Sequence, residues 1–116
     1  MSDFDVQMNI DLRHTTQGWG DFVVDFEDGL PPKTEVTGVA IRAYAGRVTP
    51  DIDLSEQDDV ANLIVDQNAV FSAGYKVYWR MQYSPDLAGK NVTLVFDITI
   101  TTGGHHPFYA YRVRVR

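Results

Sequence analysis

Residues 91–116 read NVTLVFDITITTGGHHPFYAYRVRVR, and their period decides the fold. Val92, Leu94, Phe96, Ile98 and Ile100 fall on one side of a strict alternation, with Thr93, Asp97 and Thr99 on the other. A repeat of two is the geometry of a half-buried strand, because successive side chains leave opposite faces. β-Branched threonine suits the opposite, solvated side. Thr102-Gly103-Gly104 supplies a turn. Alternation then resumes, with Tyr109, Tyr111, Val113 and Val115 against Arg112, Arg114 and Arg116. Two such runs around a glycine turn predict a β-hairpin.

The same period extends upstream. KVYWRMQY sets Val77, Trp79, Met81 and Tyr83 against Lys76, Tyr78, Arg80 and Gln82. EVTGVAIRAYAG places Val39 and Ile41 opposite Arg42 and Tyr44, and FVVDF places Phe22, Val24 and Phe26 opposite Val23 and Asp25. FDVQMNIDL alternates from Phe4 to Leu12. Between these runs, HTTQGWGD reads as a loop, and EDGLPPK as a turn whose Pro31-Pro32 forbids ladder bonds. RVTPDIDLSEQDD is a polar, acidic loop or edge segment. VANLIVDQNAVF fits helical spacing at Val60, Leu63 and Ile64 but also alternates, and its β-rich surroundings favour strands. About seven such strands predict one antiparallel, immunoglobulin-like β-sandwich domain spanning residues 1–116.

Composition narrows the function. The chain has 116 residues, no cysteine and a net charge of -6. One core fits that length, and thiol chemistry and cysteine-bound zinc are excluded. Net acidity repels phosphate backbones, so neither nucleic acid nor, with no apolar run near ~20 residues, a membrane is expected as partner. The opening MSDFDVQMNI lacks the basic and apolar regions of a signal peptide.

Candidate chemistry is sparse. His105 and His106 are adjacent on a strand and point to opposite faces, so they cannot easily share a metal. DIDLSEQDD offers oxygens at Asp51, Asp53 and Ser55. It fails the calcium-loop pattern at Glu56, where glycine is needed, and at Asn62, where a bidentate glutamate is needed. Gly18-Trp19-Gly20 does not open a helix and is no dinucleotide fingerprint. No serine carries nucleophile-elbow glycines. Neither enzyme activity nor a cofactor is therefore expected.

Contact residues are better represented. Trp19 sits in a glycine-flanked loop, Tyr78 and Phe108 fall on polar faces by alternation, and Tyr44 joins them as an aromatic of interest. Exposed aromatics concentrate at interfaces and also serve as stacking platforms for sugars. Arg112, Arg114 and Arg116 share one face of one strand. Asp51, Asp53, Asp58 and Asp59 make an acidic counterpart that could meet that stripe on a neighbouring copy.

DFVVDFEDGLPPKTEVTGVAI (residues 21–41) and AGKNVTLVFDITITTGGHHPFYAYRVRV (residues 88–115) resemble segments of small immunoglobulin-like phage virion proteins, including the fiber-tail adaptor family. The likeness is one of pattern: an acidic strand and turn, a threonine-rich strand, a glycine turn and a terminal aromatic-to-valine strand. The stretch from Arg47 to Phe71 departs by being longer and more acidic. The resemblance implies a non-enzymatic virion component, made in the bacterial host cytoplasm, that joins or decorates larger assemblies and has other virion proteins as partners.

Because neither the histidine pair nor the acidic loop has a workable ligand set, the protein should keep its melting temperature in excess EDTA. A fall of many degrees on chelation, seen by differential scanning fluorimetry, would show a structural metal.

Overall fold

A computed structural model describes residues 8–13 and 19–116 of the chain. Strands form where the sequence alternates: β1 (Ile10–Leu12), β2 (Gly20–Asp25), β3 (Val36–Ala45), β4 (Phe71–Ala73), β5 (Lys76–Met81), β6 (Asn91–Ile100) and β7 (His105–Val115). One sheet has the order β1-β7-β6-β3 and the other β2-β5-β4. Among the described residues the fold is thus an all-β sandwich of seven strands. The early part of the expected first strand, and His14, lie outside the described residues.

Five aromatic rings connect the sheets. Phe22 of β2 stacks on Trp79 of β5 at 5.8 Å, and Trp79 meets Phe96 of β6 edge-on at 5.0 Å. Phe26, just past β2, contacts Phe96 at 5.6 Å and Phe108 of β7 at 4.6 Å. Val92, Leu94, Ile98 and Ile100 surround them, all buried on the inward side of β6 as their spacing predicts.

Three expectations need correction. The first concerns strand direction: β1 runs parallel to β7, with Ile10 opposite Val113 and Leu12 opposite Val115. These strands lie at opposite ends of the chain, so no hairpin forces them antiparallel. The second concerns residues 60–71, which do not form two strands. Asp59 accepts the Ala61 N–H at 2.9 Å, and a short helix α1 (Ala61–Ile64) follows. Ala61 and Ile64, three apart, share its buried side. A 3-10 turn covers Gln67–Ala69, and only Phe71 enters a strand.

The third correction concerns β7. Leu94 pairs with Ala110 but Val92 with Val113, so Tyr111 and Arg112 together face Thr93. This β-bulge resets the alternation. Val113 and Val115 point inward as expected, but beyond the bulge the inward residues are Phe108 and Ala110. Phe108, expected on the polar face, is only 3% exposed. A Cβ at Gly29 would come within 2.7 Å of its ring, so the turn after β2 closes directly over it. Tyr109 and Tyr111 are displaced to the outer side.

Replacing Phe96 or Trp79 by Ala should cost ~3–5 kcal/mol, because each leaves a cavity between the sheets. Urea denaturation measures it, and a near-neutral result would remove that ring from the core.

Candidate functional site

The outer face of the four-stranded sheet is only partly solvated. Tyr44, Val48, Val95 and Tyr109 form a second buried cluster there, with Leu54 and Tyr111 against it. Burial pushes the Tyr109 phenol pKa up. The chain after β3 folds back across this face. The Thr93 hydroxyl donates to the Gly46 carbonyl at 2.7 Å and accepts the Val48 N–H at 3.1 Å. Thr93 is therefore buried, not solvated, and Tyr44 is buried with it. Both were misplaced by alternation alone, which identifies faces but not what covers them.

The covering segment carries the acidic residues and ends, at Asp59, on the edge of β3. Asp53 starts the turn Leu54–Glu56 by accepting the Ser55 hydroxyl and N–H, which hold its carboxyl below the usual range. Asp51 is lowered likewise by the Thr49 hydroxyl. Asp59 accepts the Ala43 N–H at 3.1 Å, and Val60 donates to the Ala43 carbonyl at 2.8 Å. Asp51, Asp53, Asp58 and Asp59 are all exposed.

The basic residues gather at the opposite edge of the same sheet. Arg116 grips Asp11 of β1 with two bonds, at 3.0 and 3.4 Å, while Arg13 reaches the same carboxylate at 3.2 Å. The Arg116 bond comes first in holding the Asp11 carboxyl below its ordinary value of 3.8. This clasp favours the fold above that range and is lost as pH falls through the lowered value. Arg114 reaches Asn91 at 3.4 Å, and Arg47 lies 4.1 Å over the Tyr111 ring. Arg112, Arg114 and Arg116 line a hollow of about 600 Å³ with Asn9, Asn91 and Tyr111.

The outer face of the three-stranded sheet differs in character. Val23, Tyr78 and Phe71 form one cross-strand row, since Val23 and Phe71 both pair with Tyr78. Phe71 is 58% exposed and Val23 54%, and the Phe71 ring stacks on Tyr78 at 4.8 Å. Arg80 pairs with Asp21 at 2.7 Å beside this row. Asn68, Phe71, Tyr78, Asp21 and Arg80 border a hollow of about 490 Å³. Trp19 is 40% exposed just before β2.

Of the contact residues proposed from sequence, Trp19, Tyr78, the arginines and the aspartates lie at or near the surface, on different faces, while Phe108 does not. His105 reaches Asp97 at 3.3 Å, which Arg42 also approaches at 4.0 Å. Sequence reasoning missed Phe71, inside the irregular segment, and Arg47, whose approach to Tyr111 has no local signal. Val23 was legible as an outward apolar residue. Among the described residues no group of three or more His, Cys, Asp or Glu could hold a metal ion, and no helix is long and apolar enough to cross a membrane. Comparison with family models, curated proteins and solved structures finds no match.

Thr93→Val keeps the shape but strands the Gly46 carbonyl and Val48 N–H. It should cost ~1–3 kcal/mol and speed hydrogen exchange across residues 46–60. Unchanged exchange there would mean the segment is held by its apolar contacts alone.

Proposed function

We propose that this chain is a non-enzymatic structural protein of a tailed phage or prophage virion, an immunoglobulin-like adaptor or decoration module working in multiple copies. Its partners are other virion proteins, with neither nucleic acid nor membrane as a target. The observation that carries the assembly part is the charge layout of one sheet: arginines at the β1/β7 edge, and an acidic segment ending on the β3 edge. Opposite signs at opposite edges favour head-to-tail contact between copies. Such a contact is heterologous and closes into a ring or follows the symmetry of a host particle. The virion assignment rests on the pattern resemblance of residues 21–41 and 88–115.

Exposed ion pairs contribute only ~0–1 kcal/mol each and weaken with salt. Apolar contacts such as Trp19 must therefore supply most of the affinity. Because Asp51 and Asp53 are held below the ordinary carboxylate range, these two carboxylates keep their charge into mild acid. Their part of the contact should be lost as pH falls through those lowered values.

A second reading is a carbohydrate-binding module. It is favoured by the hollow where Phe71 and Tyr78 stand beside Asp21, Asn68 and Arg80, with Trp19 also exposed. Phe71 stacks on Tyr78, and exposed Phe71 and Trp19 are the apolar platforms. Glycan-array binding abolished by Trp19→Ala would favour this reading over the first.

For the first reading, mass spectrometry of purified particles should find the chain in the virion. Changing Arg112, Arg114 and Arg116 together to Glu should reduce its incorporation, most strongly at low salt. Changing Asp51, Asp53 and Asp58 to Lys in the same chain, with Asp59 kept because it holds Ala43 and Ala61, should restore it. Full incorporation of the arginine triple variant at low and high salt, with the fold intact, would remove the stripe from the interface and leave it as a solvated face.

A further inference from the structure

Among the described residues β2 is an edge strand, paired with β5 alone. The Phe26 N–H donates to the Tyr75 carbonyl at 3.0 Å, and Asp25 pairs with Lys76. Phe26 and Tyr75 are thus a hydrogen-bonded pair. Antiparallel ladders alternate bonded and non-bonded pairs, so Val24/Val77 and Phe22/Trp79 are bonded as well. The other edge of β5 agrees with this phase: the Arg80 carbonyl accepts the Asp66 N–H at 2.9 Å, away from β2. The N–H and C=O groups of Asp21, Val23 and Asp25 therefore point away from β5. None has a partner among the described residues.

The side chains of these three residues stand on the outer face, because Phe22 and Val24 pack against the core. A strand added antiparallel along β2 would place alternate side chains beside Asp25, Val23 and Asp21. Its cross-strand neighbours would be an anion, an exposed apolar group and an anion. The strand already bound on the other side shows what that pattern selects: Lys76 opposite Asp25, Tyr78 opposite Val23, and Arg80 opposite Asp21. A second β2 in the fully overlapping register is disfavoured as occupant. A two-fold pairing centred on Val23 would set Asp21 against Asp25 of the mate, and like charges directly opposite repel.

We propose that the β2 edge accepts an extended peptide segment of a partner protein by strand addition, and that the segment carries cations flanking a central apolar or aromatic residue, in the order basic-x-apolar-x-basic. Main-chain bonds to Asp21, Val23 and Asp25 supply register, and the two carboxylates select the sequence. The intervening residues of the segment fall beside half-buried Phe22 and Val24, so they too are apolar. This site lies on a different sheet from the opposed charged edges, and it stands whether or not the chain belongs to a virion.

The test uses the whole chain and a short fluorescent peptide centred on Lys-Val-Tyr-Val-Arg, with a matched peptide carrying Glu in place of both cations. Fluorescence anisotropy should show the basic peptide binding more tightly, and amide shifts should centre on Asp21–Asp25. Asp21→Lys together with Asp25→Lys should reverse the preference. Val23→Pro removes an outward N–H without touching the bonds to β5, and should weaken binding about fivefold to tenfold. If Val23→Pro fails to fold, the charge reversal still decides. No binding of the basic peptide, equal binding of both peptides, or shifts centred on Arg112–Arg116 would overturn the proposal.

Discussion

The row of rings from Phe22 through Trp79, Phe96 and Phe26 to Phe108 is the contact on which the other features depend. It crosses from β2 and β5 to β6 and β7, so it sets the spacing of the two sheets. Aromatic pairs of this kind add ~0.5–1.5 kcal/mol each beyond the area they bury. Two local features serve this row. Gly29 lets the turn after β2 rest on Phe108, where a larger residue would collide. The bulge at Tyr111 and Arg112 turns Phe108 inward.

That bulge also shapes the surface. By reversing the alternation it sends Tyr109 and Tyr111 outward, where they pack under the segment that follows β3. Arg47 then settles over Tyr111, adding a cation beside the arginines of the β7 end. One extra residue in a strand thus helps to build the inner core, the second cluster and the basic edge together.

The sandwich treats its edges unequally. Along β3, Gln67 donates to the Ile41 carbonyl, Ser72 to the Val36 carbonyl and Gly74 accepts the Val36 N–H, while Asp59 and Val60 satisfy Ala43. Side chains and irregular backbone there take the place of a further strand, which blunts edge-to-edge association. Along β2, protection comes from the charges of Asp21 and Asp25, which repel a copy of themselves and attract a strand of the opposite sign.

The sequence by itself determined the fold class, the inward faces of β5 and β6, the hairpin between β6 and β7, and the placing of three arginines along one strand. These follow from a period of two and from turn residues, which act between near neighbours in the chain. It could not determine the direction of β1, whose partner lies at the other end of the chain. Nor could it locate the bulge, because a one-residue insertion leaves alternation intact on each side and only pairing with Thr93 reveals it. The burial of Thr93 and Tyr44, and the exposure of Phe71 beside Tyr78, depend on which segment crosses which face. Packing between distant segments decides that, because alternation assigns a residue to a side without saying whether water or protein lies there.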